Sequence, residues 1–309
     1  MKVVFHYTAG PALAARLAAL PGLDVTICPE PDDAGFAAAM ADAEVLWHVL
    51  KPCSASVIAA APKLRLIQKI GVGVNTIDLP AAAMRKIPVC NLPGTNAPAV
   101  AEMALLLMLA VLRRLPQLDA GLRRGIWSST PTTQDSFGEL GGSTVGLVGH
   151  GAVPHALAPI LRAMGCRVLF HSRTTSDDPG YRSLDDLLMQ SDIVSLHIPQ
   201  TEATTAMFDA SAFARMKPGA ILINTARGGL VDEAALLAAL QSGQLAGAGL
   251  DVFATEPAHA NHKLFALPNV VVAPHVAWLT SGTFDRSLVV AAENCRRLAT
   301  GADLLHRVQ

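Results

Sequence analysis

Apolar residues along the chain fall into two alternating patterns. Short, nearly continuous apolar runs are followed by longer stretches in which apolar positions return at helical spacing. In the first third this predicts strands at 2–7, 24–28, 45–49, 64–70 and 89–91, with helices at 11–19, 34–41, 54–60 and 79–85 between them. Strand–helix alternation of this kind gives parallel strands joined by right-handed crossovers, so this part reads as a complete small flavodoxin-like α/β unit. A cluster of turn residues, Asn91-Leu92-Pro93-Gly94-Thr95-Asn96, marks a domain boundary. A long apolar helix is expected at 97–115, with Glu102 near its start. Its apolar surface exceeds what an exposed helix carries, so it is expected to pack between domains or against a second subunit. The polar, glycine-containing stretch 121–142, around Trp127, reads as a connecting loop. The rhythm then resumes, with further strands at 193–197, 220–224, 246–252 and 270–273 and helices at 184–189, 210–216 and 233–241. A terminal helix at 281–298 is expected to return to the first unit.

The chain is organised around residues 145–173. Val145, Leu147 and Val148 form an apolar strand, Gly149-His150-Gly151 a tight turn, and Ala156, Leu157, Ile160, Leu161 and Met164 a helical face. Val168-Leu169-Phe170 then begins a second strand. Glycines between a strand and a helix let the backbone approach a dinucleotide pyrophosphate, and the helix dipole favours its charge. The pattern G-x-G-x-x-G is incomplete, since Pro154 stands at the third glycine. Proline is tolerated in a first helical turn, whereas Pro159 lies further in and is expected to kink the helix. An acid about 20 residues past the glycines would hold the ribose 2′-hydroxyl of NAD. That place holds His171-Ser172-Arg173-Thr174, with no acid and one base. This predicts a preference for NADP, with Arg173 on the 2′-phosphate; the alternative is a solvated surface arginine.

Composition narrows the class. The 309 residues are 51% hydrophobic and 16% charged, enough for two ordinary domains with large cores. A net charge of −1 argues against nucleic acid or an anionic membrane as the main partner. Five scattered cysteines (28, 53, 90, 166 and 295) form no C-x-x-C pair and read as core residues in a reducing compartment, with no metal site. The N-terminal MKVVFHYTAG reads as a strand, and the longest apolar run, 103–112, falls short of the ~20 residues a membrane span needs. A cytoplasmic location is the expectation.

Three candidate catalytic residues each follow a strand of the second sheet: Arg227 after ILIN, Glu256 after the strand ending in Asp251-Val252-Phe253, and His275 after VVVAP. The carboxyl ends of parallel strands are where open α/β sheets bind ligands. Reduction of a 2-keto acid needs a cation to orient the carboxylate and an acid to protonate the oxygen, tasks that suit arginine and histidine. A carboxylate beside the imidazole favours its charged form. In the first unit, Gly71-Val72-Gly73-Val74 reads either as a backbone nest for a carboxylate or as a plain turn.

The segments IGVGVNTIDLPAA (70–82), NLPGTNAPAVAEMAL (91–105), GELGGSTVGLVGHGAV (138–153), SLHIPQTEAT (195–204), ILINTARGGLVDEAAL (221–236), AGLDVFATEP (248–257) and APHVAWLT (273–280) resemble the D-isomer-specific 2-hydroxyacid dehydrogenases, in family order. The resemblance implies two doubly wound α/β domains. A Rossmann cofactor domain at 98–277 is inserted in a flavodoxin-like substrate domain at 1–97 and 278–309, and the helix after Asn96 builds a homodimer. It implies that Arg227 orients substrate, Glu256 polarises the histidine and His275 donates the proton. Substrate is expected on Val72, Gly73, Val74, Arg227 and His275. Cofactor is expected on Val100, Gly149, His150, Gly151, Ala152, Val153, Ser172, Arg173, Thr174, His197, Pro199, Thr204, Thr225, Ala226, Arg227, Asp251, His275 and Ala277. The 171–174 segment resembles the glyoxylate/hydroxypyruvate reductase branch, which uses NADPH. Trp278 and residues 47–51 are expected around the substrate side chain. Glu256, where formate dehydrogenases carry glutamine, argues against that branch. The chain ends soon after the terminal helix, which argues against a phosphoglycerate dehydrogenase with its extra regulatory domain. Two alternatives remain: an NAD-dependent dehydrogenase of a larger D-2-hydroxy acid or phosphoglycerate, and a corepressor-like dinucleotide sensor without catalysis.

Overall fold

The computed structural model describes residues 1–127, 134, 135 and 137–309. It divides into two compact units, Met1–Asn96 with Leu279–Gln309, and Ala97–Trp278.

The first unit holds β1 (Lys2–His6), β2 (Asp24–Cys28), β3 (Val45–His48), β4 (Leu66–Lys69) and β5 (Val89–Cys90) in one sheet of order β2-β1-β3-β4-β5, all parallel. β3 and β4 are buried at every position, as strands covered by helices on both faces must be. Asp32 and Asp78 cap the helices that follow, accepting the Gly35 and Ala81 amides at 2.9 Å. The C-terminal helix Ser281–Thr300 belongs to this unit. Its buried Asn294 donates to Gln68 Oε1 of β4 at 2.7 Å and accepts the Leu305 amide at 2.8 Å. Trp47, expected near the substrate, is instead fully buried in β3, because successive residues of a doubly covered strand all face core.

The second unit holds β6 (Thr144–Val148), β7 (Arg167–His171), β8 (Ile193–Leu196), β9 (Ala220–Asn224), β10 (Leu245–Leu250) and β11 (Val270–Val272), all parallel, in the order β11-β10-β9-β8-β6-β7. A parallel bridge from Phe170 to Tyr181 adds a vestigial strand outside β7. Chain order thus reverses between β6 and β8, the switch point at which open α/β sheets bind nucleotides. One face of this sheet packs Val194, Leu222 and Ala248 with Phe208, Phe213 and Leu236 from the crossovers. The other packs Val145, Leu147 and Ile223 against Leu157 and Leu161, and against Ala104, Leu107 and Met108 of the long helix.

That helix differs from expectation in extent and destination. It runs Ala97–Leu112, stopping where Arg114 adopts φ 48° and Pro116 can supply no amide, and a second helix, Leu115–Arg123, follows. The expected loop therefore begins as helix, and residues 128–133 and 136 of it lie outside the described residues. The apolar surface of Ala97–Leu112 is largely used within its own unit, against β9, β10, β11 and helix Ala152–Ala163. Helix Ala152–Ala163 continues past Pro159. The residue is exposed there, so water can take the carbonyl whose amide partner is missing. All five cysteines are buried as free thiols.

Candidate active site

Strand register sets the site. Leu196 pairs with Asn224, Asn224 with Leu250, and Leu250 with Val272, so β8 to β11 end in one row. The residues that leave this row are Thr225-Ala226-Arg227, the loop Asp251–Glu256, and Ala273-Pro274-His275.

Asp251 anchors the arrangement. It is fully buried, and its two carboxylate oxygens accept the Val276 and Ala277 amides, both at 2.9 Å. Its carbonyl accepts the His275 amide at 2.7 Å. Burial pushes its carboxyl up, against the pull of the two amides. These bonds hold His275 at φ 54°, a left-handed conformation that is uncommon and costly for non-glycine residues. Trp278 Nε1 donates to the His275 carbonyl at 3.1 Å, so the tryptophan expected in the substrate pocket backs the histidine loop. Asp251, expected on the cofactor, likewise has both oxygens committed to that loop.

His275 Nδ1 meets Glu256 Oε2 at 2.6 Å, and the Phe253 amide donates to Glu256 Oε1 at 3.0 Å. Nδ1 faces a carboxylate and therefore carries its proton there, which leaves Nε2 as the working edge. Burial raises the Glu256 carboxyl, but the His275 hydrogen bond, the Phe253 amide and the nearby charges of His275 and Arg227 outweigh it, so it lies below the ordinary range. Burial lowers the Arg227 guanidinium while the Glu256 charge raises it, and it stays ionised at any working pH. The structure thus brings Arg227, Glu256 and His275 together.

Supporting residues that the sequence reading passed over are now visible. Asn224, buried at the end of β9, accepts the Ala226 amide at 3.0 Å and donates to the Arg227 carbonyl at 2.8 Å. Glu233 accepts the Ala254 amide at 2.8 Å and bonds His262 at 3.1 Å, which fastens the loop bearing Glu256. Both lie inside the segment ILINTARGGLVDE, and the signal for Asn224 was a polar residue closing an apolar strand. Gly228 is required by close approach: a Cβ there would lie 1.9 Å from the Phe253 carbonyl carbon.

The residues toward a dinucleotide fit one. Gly149, at φ 121°, lets the chain pass His197, whose carbonyl oxygen a Cβ would meet at 2.5 Å. Gly151 opens the helix Ala152–Ala163 with no side-chain cap, so its first amides are free for a ligand. The buried Thr225 hydroxyl has no hydrogen-bond partner among the described residues. Burial lowers the His197 pKa to about 3, so the ring is neutral, and Nε2 bonds Ser195 at 2.9 Å. Val100 is buried in the first turns of its helix, and Pro199 is exposed. Two expected contacts have their hydroxyl protons engaged locally: Ser172 donates to the Thr174 carbonyl at 2.6 Å, and Thr204 donates to the Pro199 carbonyl at 2.8 Å. Arg173 is exposed beyond β7.

Val72, Gly73 and Val74 belong to the other unit, on the loop leaving β4, where Asn91 donates to the Val72 carbonyl at 2.9 Å. In that unit β1, β3 and β4 end in His6, His48 and Lys69, all buried. Burial, with Lys69 beside it at 3.4 Å, lowers the His48 pKa to about 3.

Such a fold and site define a two-unit α/β protein built to bind a dinucleotide. Residues 105–277 match the model of the D-isomer specific 2-hydroxyacid dehydrogenase NAD-binding domain. A glyoxylate reductase of Aeropyrum pernix is 39% identical over 271 residues, 84% of this chain and 81% of that one. A D-3-phosphoglycerate dehydrogenase of Mycobacterium leprae is 40% identical over 280 residues, 88% of this chain but 52% of that one. The chain thus spans about half the length of the phosphoglycerate dehydrogenases it matches. A crystal structure of a Thermus thermophilus protein superposes with a TM-score of 0.90 at 38% identity, covering 100% of both chains. The chain belongs to the D-isomer-specific 2-hydroxyacid dehydrogenase family.

Gly228→Ala is expected to push the Arg227 turn off the Phe253–Glu256 loop and to lower kcat about a hundredfold, the cost of misplacing a site by ~1 Å. Steady-state kinetics on the folded variant checks this. Glu256, with a lowered folded pKa, contributes stability above its ordinary value of 4.5 that is lost as pH falls through the lowered one. The stability gap between the wild type and Glu256→Gln is therefore expected to be constant near neutrality and to close below pH 4.5, as read by urea unfolding across pH.

Proposed function

We propose that this protein is an NADPH-preferring reductase of a small 2-keto acid, of the glyoxylate or hydroxypyruvate type, yielding the D-2-hydroxy acid. The observation that carries the reading is the 2.6 Å His275–Glu256 pair, with the charge of Arg227 beside it, at the carboxyl edge of a dinucleotide-binding sheet. The bound nicotinamide would supply the hydride to the carbonyl carbon. The chain's residues do the rest. Arg227 pairs its guanidinium with the substrate carboxylate and fixes the carbonyl's orientation. His275 gives its Nε2 proton to the carbonyl oxygen as the C=O π bond breaks, and it recovers a proton from water afterwards. Glu256 keeps the Nδ1 proton in place and balances the charge of the protonated ring. The amides of Val72, Gly73 and Val74 are assigned to the substrate carboxylate as well.

The cofactor residues are those at the glycine turn (149–153), Val100, 172–174, His197, Pro199, 225–227 and the His275–Ala277 loop. Three features support NADPH: no acid closes β7, Arg173 has no ion pair among the described residues, and Ser172 leaves room beside it. The match spans 81% and 76% of two relatives named glyoxylate reductase, which supports the small-acid reading. A homodimer through helix Ala97–Leu112 is part of the proposal, and light scattering would test it through Leu106, which is 54% exposed on that helix.

The deciding experiment is cofactor oxidation with NADPH and NADH against glyoxylate, hydroxypyruvate, pyruvate, 3-phosphohydroxypyruvate and a bulky aromatic keto acid. Fast NADPH oxidation with the small acids is expected. Turnover only with a large or phosphorylated acid would overturn the substrate assignment, and tight binding without turnover would favour the sensor. His275→Ala is expected to lower kcat by roughly 10²–10⁴ while dinucleotide affinity stays intact. Arg173→Ala is expected to weaken NADPH about tenfold, the scale of one charge-assisted hydrogen bond, and to leave NADH unchanged; direct binding titrations read both.

A further inference from the structure

The glycine turn carries two exposed imidazoles in contact. His150 lies flat on Phe170 of β7, with ring centroids 3.9 Å apart and planes 12° apart. His155, one turn into the helix, meets His150 at a centroid distance of 4.4 Å. Its Nδ1 sits 2.7 Å from the Gly151 carbonyl. A carbonyl can only accept, so Nδ1 holds the proton and Nε2 is the free edge. A neutral His155 therefore offers a lone pair at that edge, and only the protonated ring can donate from it. Among the described residues neither ring is hydrogen-bonded or ion-paired to a carboxylate.

The surroundings are of mixed charge. Pro154 removes one amide from the helix's first turn, while Ala152 and Val153 bring no charge. The titratable and charged groups on the packed elements are His171, whose Nδ1 bonds the Arg182 carbonyl at 3.1 Å, Tyr181, which packs edge-on to Phe170, Arg167 at the start of β7, Arg173 beyond its end, and Glu102 on the helix Ala97–Leu112. Arg162 lies further along the helix. The loop after β7 also carries Asp177 and Asp178, the second of which accepts the Gly180 amide at 2.7 Å.

We propose that His150 and His155 form a proton-dependent grip on phosphate oxygens of the dinucleotide, in place of the backbone donor missing at Pro154. The inference rests on the cofactor reading of this turn. With Nδ1 already donating to the Gly151 carbonyl, His155 can donate to a phosphate oxygen from Nε2 only when that nitrogen also holds a proton. Binding is thereby coupled to proton uptake. The oxygens can belong to the pyrophosphate, present in both dinucleotides, or to the 2′-phosphate of NADPH alone.

The test is calorimetric titration of the full chain with NADH and with NADPH in paired buffers of different ionisation enthalpy, from pH 6 to pH 8. The same is done for His150→Gln, His155→Gln and the double variant. The wild type is expected to take up about a quarter to half a proton per dinucleotide averaged over that range, with Kd rising about three- to tenfold, and the double variant to lose this component. Loss with both ligands supports the grip and places it on the pyrophosphate, while loss with NADPH alone supports it on the 2′-phosphate. Proton uptake unchanged in the double variant overturns the proposal. If the double variant does not fold, His155→Gln, at an exposed position, carries the comparison. Wild type that binds neither dinucleotide sinks the cofactor reading as well; binding without proton uptake sinks this inference alone.

Discussion

The buried Asp251 carboxylate, one oxygen on each of two successive amides, holds the candidate site in shape. Charge-assisted bonds to backbone amides are about twice as strong as neutral ones, and here they act out of water. They fix His275 at φ 54°, a conformation that costs about 1–3 kcal/mol at a non-glycine residue. A free loop would relax out of it and carry the imidazole away. The next residues along the same chain supply the Phe253 amide to Glu256, so one strand end positions both members of the His275–Glu256 pair. Trp278 closes the other side of the turn.

The remaining geometry follows from close backbone approach. Gly228 lets the Arg227 turn lie against the Phe253 carbonyl, and Gly149 lets the glycine turn pass the end of β8. Neither position tolerates a Cβ, so both loops lie closer than side chains would allow. The strand register does the rest, because four parallel strands that end in one row deliver their loops to one edge. Arg227, Glu256 and His275 need no long-range device to meet. They are neighbours because β9, β10 and β11 are neighbours.

Much of this was legible in the chain. The strands were read nearly to their ends because doubly covered parallel strands are continuous apolar runs, and AILIN at Ala220–Asn224 is one. Helix Glu233–Gln241 was read to both ends, since Asp232 caps it and Gly243 follows. Other features were not legible, and each for a physical reason. The break at Arg114 is a single left-handed residue that no hydrophobic period marks. The apolar face of Ala97–Leu112 states that something covers it, and only the folded chain shows that β9 to β11 and helix Ala152–Ala163 do so. Ser172 and Thr204 carry suitable hydroxyls, but whether these bond a ligand or their own loop depends on loop closure.

The sequence by itself determined the periodic elements, the glycine turn and which chemical groups stand at strand ends. All of these are local properties of composition and spacing. The tertiary structure decided what those groups do. Asp251 became a clamp, Trp278 a backing and Trp47 core, and Asn224 and Glu233 emerged as fasteners of the site loops. Such roles depend on burial and on hydrogen-bond partners drawn from distant parts of the chain, and a linear pattern carries neither.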